Sequence, residues 1–298
     1  MRRIRWAATG LISAALVLTT TQAVAINSYN AKPAPERTET GALMVLWDRD
    51  GDGVAENFDW HCTGAMVDSD TFLTAAHCVT DWSANPANDR YFVSLVQDVQ
   101  TLIDTALYDF RTQGQQLAPW FVANHYAVEG TAAHDPAFGH DAADPHDIGV
   151  VDFANWSATP ADVWNFTPAT LPTAGQLSAL GGRALDALEW TAVGYGTEEA
   201  VRGPGGQTHP GGGVRMEAPL GFNALNKSWV RLSMHESQGS GGACYGDSGG
   251  PNFVGIGGKL VLAATTITGD TPCYATNVVY RTDTASARNF LQPYVALP

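Results

Sequence analysis

Short runs of β-branched, aromatic and other apolar residues recur along this 298-residue chain, and clusters of Gly, Pro, Asn and Asp separate them. Runs of this length between turn-forming residues predict β-strands, and a chain made of many such strands folds as a barrel or a sandwich. The sequence therefore predicts an all-β protein in which helix is rare. The predicted strands are residues 42–46, 71–74, 91–96, 148–153, 189–193, 229–233 and 260–267.

One helix is predicted near the C-terminal end of the chain. Asp283 and Thr284 offer an N-cap, and apolar residues at near-helical spacing follow them. These residues are Ala285, Ala287, Phe290, Leu291 and Tyr294.

Residues 1–25 have the pattern of an export signal. Three arginines precede an apolar stretch from Trp6 to about Thr19, and Ala23-Val24-Ala25 has the small-x-small form of a signal peptidase site. A retained membrane anchor is the alternative, but this apolar core of about 14 residues is shorter than the roughly 20 that a spanning helix needs. We therefore expect a secreted chain that begins at Ile26 and makes no further contact with membrane.

The chain is acidic, with a formal net charge of −14 that becomes −17 when the three arginines of residues 1–25 are removed. Such a surface repels nucleic acid and anionic lipid, so neither is expected as a partner. With 45% hydrophobic and 15% charged residues, the chain can bury a large core in one large or two modest domains. We expect the mature protein to be a monomer.

Three separated segments carry groups that suit one kind of chemistry. Residues 243–251 read Ala-Cys-Tyr-Gly-Asp-Ser-Gly-Gly-Pro, residues 74–78 read Thr-Ala-Ala-His-Cys, and Asp147 precedes an apolar strand. A serine hydroxyl is a poor nucleophile at neutral pH, so acyl transfer needs an imidazole to accept its proton and a carboxylate to orient that imidazole. Ser248, His77 and Asp147 supply these groups, and Asp144 is the nearest rival for the carboxylate.

These motifs, in the chain order His, Asp, Ser, resemble those of the chymotrypsin-like (trypsin-like) serine proteases, and the resemblance covers roughly residues 41–295. It implies two antiparallel six-stranded β-barrels with a C-terminal helix and an active site between the barrels. After an N-terminal segment at residues 26–40, we expect the first barrel at about residues 41–155. A linker-like segment at residues 156–160 then opens the second barrel and helix at about residues 156–298. The resemblance also implies an oxyanion hole formed by the backbone N–H groups of Gly246 and Ser248, and catalysis without a cofactor.

Four cysteines allow three pairings, and the sequence alone does not choose among them. The resemblance implies the disulfides Cys62–Cys78, beside the histidine, and Cys244–Cys273, beside the specificity pocket. Export provides the oxidising compartment that these bonds require. Free or metal-bound thiols are the alternative, but the chain has no C-x-x-C pair.

The resemblance places a primary specificity pocket at Gly242, Ala243, Gly269 and Asn277. Its base is the position six residues before the serine, which is an aspartate in trypsin-like members that bind Arg or Lys. Glycine at 242 therefore predicts an aliphatic or aromatic side chain before the scissile bond. The pocket wall at residues 267–269 reads Ile-Thr-Gly and departs from the family's usual Ser-Trp-Gly.

Asp247 resembles the residue that, in this family, pairs with a newly freed N-terminal ammonium and so shapes the oxyanion hole. Signal peptidase cleavage after Ala25 would expose Ile26, which is an apolar N-terminus of the required kind. We therefore predict that export alone matures the protein, through an ion pair between Ile26 and Asp247.

Residues 48–53 read Asp-Arg-Asp-Gly-Asp-Gly, which is the D-x-D-x-D-G spacing of a calcium loop. One interpretation is a structural calcium ion held by Asp48, Asp50, Asp52 and Asp59. The other is an acidic hairpin turn, for which Asp-Gly is a strong signal.

Two further patterns are interpreted as loops. The repeated His-Asp pairs at residues 134–135, 140–141 and 146–147 could ligate zinc, but nearby prolines and alanines favour a solvated loop. Residues 203–213 hold six glycines and two prolines and lack the Lys-Ser/Thr of a phosphate-binding loop, which indicates a flexible surface loop.

Together these features predict a secreted serine endopeptidase that hydrolyses peptide bonds in proteins or peptides through an acyl-enzyme. Two alternatives stay open at this point. One is a catalytically inactive secreted binding protein on the same scaffold, and the other is an esterase, because acyl-enzyme chemistry also cleaves esters.

Overall fold

The computed structural model describes residues 26–298 apart from residues 56, 81, 84, 114 and 115. Its strands are β1 Lys32–Pro33, β2 Thr40–Trp47, β3 Asn57–Met66, β4 Thr71–Thr74, β5 Arg90–Ser94, β6 Val128–His134, β7 Gly149–Asp152, β8 Trp190–Gly194, β9 Val201–Gly203, β10 Gly206–Thr208, β11 Met216–Leu225, β12 Trp229–Ser233, β13 Pro251–Ile256, β14 Lys259–Gly269 and β15 Thr276–Arg281. Its α-helices are α1 Val99–Gln113, α2 Leu117–Ala123, α3 Pro160–Val163, α4 Gln176–Asp186 and α5 Ala285–Leu291.

The first barrel closes in the order β2-β3-β4-β7-β6-β5, with every neighbouring pair antiparallel. Apolar side chains from several strands fill its interior, among them Leu43, Phe72, Val93 and Val151, all of which are fully buried. Their burial supplies the main favourable term for closing the sheet.

The second barrel closes in the order β8-β11-β12-β15-β14-β13, and β1 extends the sheet beyond β11. Its core contains Trp190, Leu232, Val254 and Val279. Two six-stranded antiparallel barrels followed by α5 confirm the fold class predicted from the sequence. The predicted N-cap is also present, because the Thr284 side chain accepts a hydrogen bond from the Ala287 N–H at 3.2 Å.

Helix is more extensive than the strand pattern indicated. Between β5 and β6, helices α1 and α2 lie against the outside of the first barrel, where Ile103 and Phe121 pack with Phe58 and Phe92. This second apolar layer explains why the outward face of β5 is also buried. Within the described residues, no helix combines the length and the apolarity that a membrane crossing needs.

Candidate active site

The antiparallel pairing of β4 with β7 brings a histidine and an aspartate together. Thr74 at the end of β4 pairs with Gly149 at the start of β7, so the residues just outside these two strands lie at the same edge of the barrel. His77 Nδ1 lies 2.8 Å from Asp147 Oδ2, and the His77 backbone N–H donates to Asp147 Oδ1 at 3.0 Å. The Asp147 carboxylate therefore holds both the ring and the backbone of the histidine. Asp147 itself is buried, with 6% of its surface exposed.

Asp144, the rival carboxylate, belongs to a different network. Its oxygens accept hydrogen bonds from the Tyr280 hydroxyl at 2.8 Å and from the Ser286 hydroxyl at 2.7 Å. Burial alone would raise the pKa of Asp144, but the hydrogen bonds from Ser286 and Tyr280, together with His146, outweigh that effect and lower it. Asp144 thus ties its loop to β15 and α5, while Asp147 is the carboxylate that contacts His77.

Ser248 lies in a tight loop between β12 and β13. The loop is folded by hydrogen bonds from the Asp247 N–H to the Cys244 oxygen at 3.1 Å and from the Gly250 N–H to the Asp247 oxygen at 2.8 Å. The Ser248 backbone oxygen accepts a hydrogen bond from the Thr63 N–H at 2.9 Å. The serine backbone of the second barrel is thereby attached to β3 of the first.

Two glycines of the serine loop are required by its shape. Gly246 and Gly249 have φ angles of 94° and 78°, in a region that residues with a Cβ rarely adopt. A Cβ on Gly249 would also lie 2.1 Å from Thr74 Oγ1. Among the described residues, neither the Gly246 N–H nor the Ser248 N–H donates a hydrogen bond within the protein, so both can donate to an oxygen of a bound molecule.

A cavity of about 530 Å³ opens beside these groups, and both His77 and Ser248 line it. Its lining comes from both barrels. The first barrel contributes His61, Cys62 and Trp82, and the second contributes the serine loop, the end of β14 and Asn277. The histidine and the serine thus border one space that is large enough for a peptide segment.

Of the predicted pocket residues, Ala243, Gly269 and Asn277 line this cavity, whereas Gly242 is not among its lining residues in the described structure. A Cβ on Gly242 would lie 2.4 Å from Met234 Cγ and Sδ. Gly242 is therefore packed against the core of the second barrel, one residue away from the cavity wall.

Asn277 and Asp270 are two of the polar residues in the second-barrel wall of the cavity. Asn277 is 1% exposed, its Nδ2 donates to Asn252 Oδ1 at 3.0 Å, and its Oδ1 has no hydrogen-bond partner in the described structure. The Asp270 carboxylate accepts hydrogen bonds from the backbone N–H groups of residues 274–276. Its charge is therefore engaged by its own loop.

Asp247 is 2% exposed, and its carboxylate oxygens accept hydrogen bonds from the backbone N–H groups of Gly196 and Cys244, each at 2.8 Å. Burial raises the pKa of Asp247 to about 7, because it disfavours the charged form. Gly194 and Gly196 make room for the carboxylate, since a Cβ on either would lie within 2.0 or 2.3 Å of its oxygens. An ammonium group at this site would lower the pKa again.

Ile26 lies beside the Asp247 site. Its side chain is fully buried in the core of the second barrel, and its backbone N–H donates to the Gly196 oxygen at 3.1 Å. Asn27 is also fully buried, and its Oδ1 accepts a hydrogen bond from the Gly242 N–H at 2.8 Å. Ile26 and Asn27, where the predicted mature chain would begin, are therefore buried and hydrogen-bonded. The predicted export signal at residues 1–25 lies outside the described residues.

The structure joins Cys62 to Cys78 and Cys244 to Cys273, which is the pairing that the family resemblance implied. The first disulfide links β3 to the turn that carries His77. The second links the serine loop to the segment that follows β14. Each cross-link thus fixes one wall of the cavity.

The acidic loop brings three of its four predicted ligands together. Carboxylate oxygens of Asp48, Asp50 and Asp52 lie within 4.8 Å of one another, and Asp59 is not part of this group. Asp48 also accepts hydrogen bonds from the N–H groups of two glycines in its own loop, at 2.7 and 2.8 Å. This geometry fits an acidic turn, and the same three carboxylates fit a hard cation.

The repeated His-Asp pairs do not converge as three ligands in the described structure. His146 Nδ1 instead lies 2.8 Å from Asp135 Oδ2, within the loop that leads to Asp147. The two remaining groups of candidate metal ligands each contain a disulfide-bonded cysteine pair, which has no thiolate to offer.

Sequence reasoning missed several residues that shape the site. His61 packs between Trp47 and Trp82, at ring centroid distances of 4.6 and 4.3 Å, and burial lowers its pKa to about 4. Gly194 and Gly196, which make room for the Asp247 carboxylate, could have been singled out from the sequence, because this Gly-x-Gly directly follows a predicted strand. Thr63, by contrast, carries no local signal of its role.

Two closed antiparallel β-barrels, with a serine and a histidine on the cavity between them, define the fold class of the chymotrypsin-like serine proteases. Residues 46–118 match the family model described as Trypsin, a stretch that includes His77 and strands β3, β4 and β5 of the first barrel. The matched stretch is less than half of the chain, and together with the fold it makes the chain similar to the chymotrypsin-like (trypsin-like) serine proteases. No curated protein sequence matches the chain.

Proposed function

We propose that this protein is a secreted serine endopeptidase that uses Ser248, His77 and Asp147 as its catalytic triad. One observation carries the proposal. The Asp147 carboxylate holds the His77 ring at 2.8 Å, and that histidine and Ser248 line one cavity beside two N–H groups that have no acceptor among the described residues.

The chemistry follows from the roles of these groups. With Asp147 next to Nδ1, the proton of the neutral His77 ring stays on Nδ1, and Nε2 is free to act as the base. Nε2 accepts the Ser248 hydroxyl proton as Oγ forms a bond to the substrate carbonyl carbon. The C–N bond then breaks as the same nitrogen returns the proton to the leaving amine, and water repeats the sequence on the acyl-enzyme. The N–H groups of Gly246 and Ser248 stabilise the negative charge that develops on the carbonyl oxygen.

Export and maturation form the second part of the proposal. Signal peptidase cleavage before Ile26 turns a buried backbone nitrogen, which lies beside Gly196, into an ammonium group next to the Asp247 carboxylate. The φ angle of Ile26, 68°, is unfavourable for a β-branched residue within a chain, and loss of the preceding residue removes that restriction. Cleavage therefore favours the ion pair between Ile26 and Asp247 that shapes the serine loop.

We also propose that the side chain before the scissile bond is uncharged. The cavity wall at Ala243 and Gly269 is uncharged, and the carboxylate of Asp270 is engaged by backbone N–H groups. A peptide library tests this directly, and a strict preference for Arg or Lys would contradict it.

Labelling with a fluorophosphonate probe tests the catalytic proposal, because such a probe reacts with an activated serine. Wild type should be labelled, while Ser248→Ala should show no labelling and retain the same fold by circular dichroism. Ser286→Ala provides a matched control, since that hydroxyl contacts Asp144 away from the cavity. Unlabelled wild type would favour an inactive binding protein.

Hydrolysis of casein separates a peptidase from an esterase. Labelled wild type that cleaves p-nitrophenyl esters but no casein and no peptide anilide would contradict the endopeptidase proposal. Secretion is checked by N-terminal sequencing of the exported protein, for which Ile26 is the expected first residue.

A further inference from the structure

Trp60 lies in a slot whose walls are three glycines. A Cβ on Gly246 would lie 2.4 Å from Trp60 Cζ3, a Cβ on Gly212 would lie 2.6 Å from Cη2, and a Cβ on Gly213 would lie 3.0 Å from Nε1. Real Cβ atoms do not fit at the first two distances, so the indole contacts bare backbone at each position. One of these glycines, Gly246, carries an N–H of the proposed oxyanion hole.

The other two walls are the last glycines of the Gly-rich run that the sequence indicated to be a flexible loop. At this end the run is held in place. The Gly213 N–H donates to the Tyr195 oxygen at 2.7 Å, and the Gly213 oxygen accepts from the Val99 N–H at 2.8 Å. The run thus connects the backbone around the Asp247 site with the first turn of α1.

Gln100, in the same first turn of α1, fixes the orientation of the indole. Trp60 Nε1–H donates to Gln100 Oε1 at 3.0 Å, and Gln100 Nε2 donates to Asp104 Oδ1 at 3.1 Å. The Gln100 amide is therefore held in turn by Asp104, one turn further along the helix. Because α1 packs firmly on the first barrel, the ring has a rigid support.

The Gly246 N–H belongs to the peptide group between Tyr245 and Gly246, which is planar and trans. The oxygen of that peptide accepts a hydrogen bond from the Thr197 N–H at 2.7 Å, on the side away from the N–H. At the next bond, Gly246 itself has no side chain to restrain its φ of 94°. Trp60 fills the space that a rotating Gly246 would need.

We propose that Trp60, held by Gln100, is a positioning residue that keeps the Gly246 N–H directed at the substrate carbonyl oxygen. This inference rests on the proposed function, since it concerns the same serine loop. Trp60 touches the loop backbone and no reacting atom, so it acts through Gly246. Helix α1 then has a role in catalysis as the support of the oxyanion hole.

Kinetics with a matched pair of inhibitors tests the inference. A peptide boronate forms a tetrahedral adduct with the serine and places an oxygen in the oxyanion hole, whereas the corresponding peptide alcohol binds without such an oxygen. The variants are Trp60→Ala, Trp60→Phe and Gln100→Met, with Thr105→Ala as a control on the exposed face of the same helix.

Complete loss of one oxyanion donor costs about 10²–10³ in kcat, so we expect Trp60→Ala to lower kcat by about 10–100-fold with KM nearly unchanged. The boronate Ki should rise by the same factor, and the alcohol Ki should stay at its wild-type value. Trp60→Phe and Gln100→Met should show the same pattern at smaller amplitude. Thr105→Ala should match wild type.

Equal weakening of boronate and alcohol would overturn the inference, because it would indicate general damage to the cavity. Wild-type kcat and boronate Ki in folded Trp60→Phe and Gln100→Met would overturn it too, and these two variants decide the question if Trp60→Ala does not fold. An inactive, unlabelled wild type is a different result, since it would overturn the proposed function and this inference together.

Discussion

The Thr63 hydroxyl donates a hydrogen bond to the backbone oxygen of Gly246 at 2.9 Å, across the boundary between the two barrels. The same hydroxyl accepts a hydrogen bond from the Tyr195 N–H at 3.0 Å, and the Thr63 N–H donates to the Ser248 oxygen at 2.9 Å. One fully buried residue next to Cys62 therefore joins the serine loop, the Asp247 cradle and β3.

Replacing Thr63 with valine should damage both stability and catalysis. Valine keeps the shape but removes both side-chain hydrogen bonds, which leaves the Tyr195 N–H buried without an acceptor. Such a loss costs about 1–3 kcal/mol. We expect urea unfolding to show a loss of this size and kcat to fall, with Thr63→Ser close to wild type in both. Equal stability of the valine variant and wild type would contradict this account.

Asp147 and Asp144 should respond differently to the same substitution. Asp147→Asn removes the carboxylate that sets the tautomer of His77, and the comparable change in a Ser-His-Asp triad lowers kcat by about 10⁴. Asp144→Asn weakens hydrogen bonds from Tyr280 and Ser286 and should mainly lower the free energy of unfolding. Steady-state kinetics and urea unfolding on both variants check this, and a larger kcat loss for Asp144→Asn would reverse the assignment.

Asn277→Asp should redirect specificity. Asn277 lines the cavity, and its amide oxygen has no hydrogen-bond partner in the described part of the chain, so the substitution places a carboxylate at the cavity wall. Hydrogen bonds to charged groups are worth about 1.5–3 kcal/mol, so kcat/KM for substrates with Arg or Lys before the scissile bond should rise about tenfold or more relative to Leu or Phe. Asn277→Leu, as the uncharged control, should produce no such gain. An unchanged preference in the Asp variant would place this residue outside the substrate contact.

The serine and histidine motifs could be identified from the sequence because each is a contiguous run, and the glycines of the serine motif answer a local backbone need, as the φ of Gly249 shows. Seven of the barrel strands were predictable for a similar reason, since turn residues delimit them, whereas β3, β6, β11, β13 and β15 were missed. What the sequence did not indicate depends on contacts between distant segments. Thr63 and Trp60 have ordinary strand neighbours, and their roles arise only when β3 meets the serine loop.

Gly242 shows the same limit in a different way. Counting back from the serine selected Gly242 as the base of the pocket, but whether a residue lines a cavity depends on which face its backbone presents. Here Met234 covers that face. Helix α1 was missed because its apolar residues meet the outside of a barrel, which a strand pattern does not anticipate.

Calcium binding at the acidic loop is checked by thermal unfolding. If Asp48, Asp50 and Asp52 hold the ion, added calcium should raise the melting temperature of wild type, and a chelator should reverse the effect. Asp50→Asn should abolish the rise, whereas Asp59→Asn should leave it, because Asp59 lies outside the group. No rise in wild type would favour the acidic turn.

The ionisation of Asp247 should distinguish the chain before and after cleavage. In a chain extended ahead of Ile26, burial raises the pKa of Asp247 to about 7, whereas the unfolded carboxyl has the ordinary value near 3.8. The folded state therefore binds more protons between these values, and the free energy of unfolding should fall as pH rises from about 4 to 7. A chain that begins at Ile26 has an ammonium beside the carboxylate, which lowers the pKa and should flatten that slope.

Urea unfolding at a series of pH values measures both slopes. Asp247→Asn in the extended chain has no carboxyl to ionise, so it should lose the decline between pH 4 and 7 whatever its absolute stability. Glu199→Gln serves as the control, because that carboxylate contacts Ser28 at the exposed surface near the same segment. If the extended chain and the chain that begins at Ile26 show the same slope, the ammonium does not reach Asp247, and maturation by signal cleavage alone would be wrong.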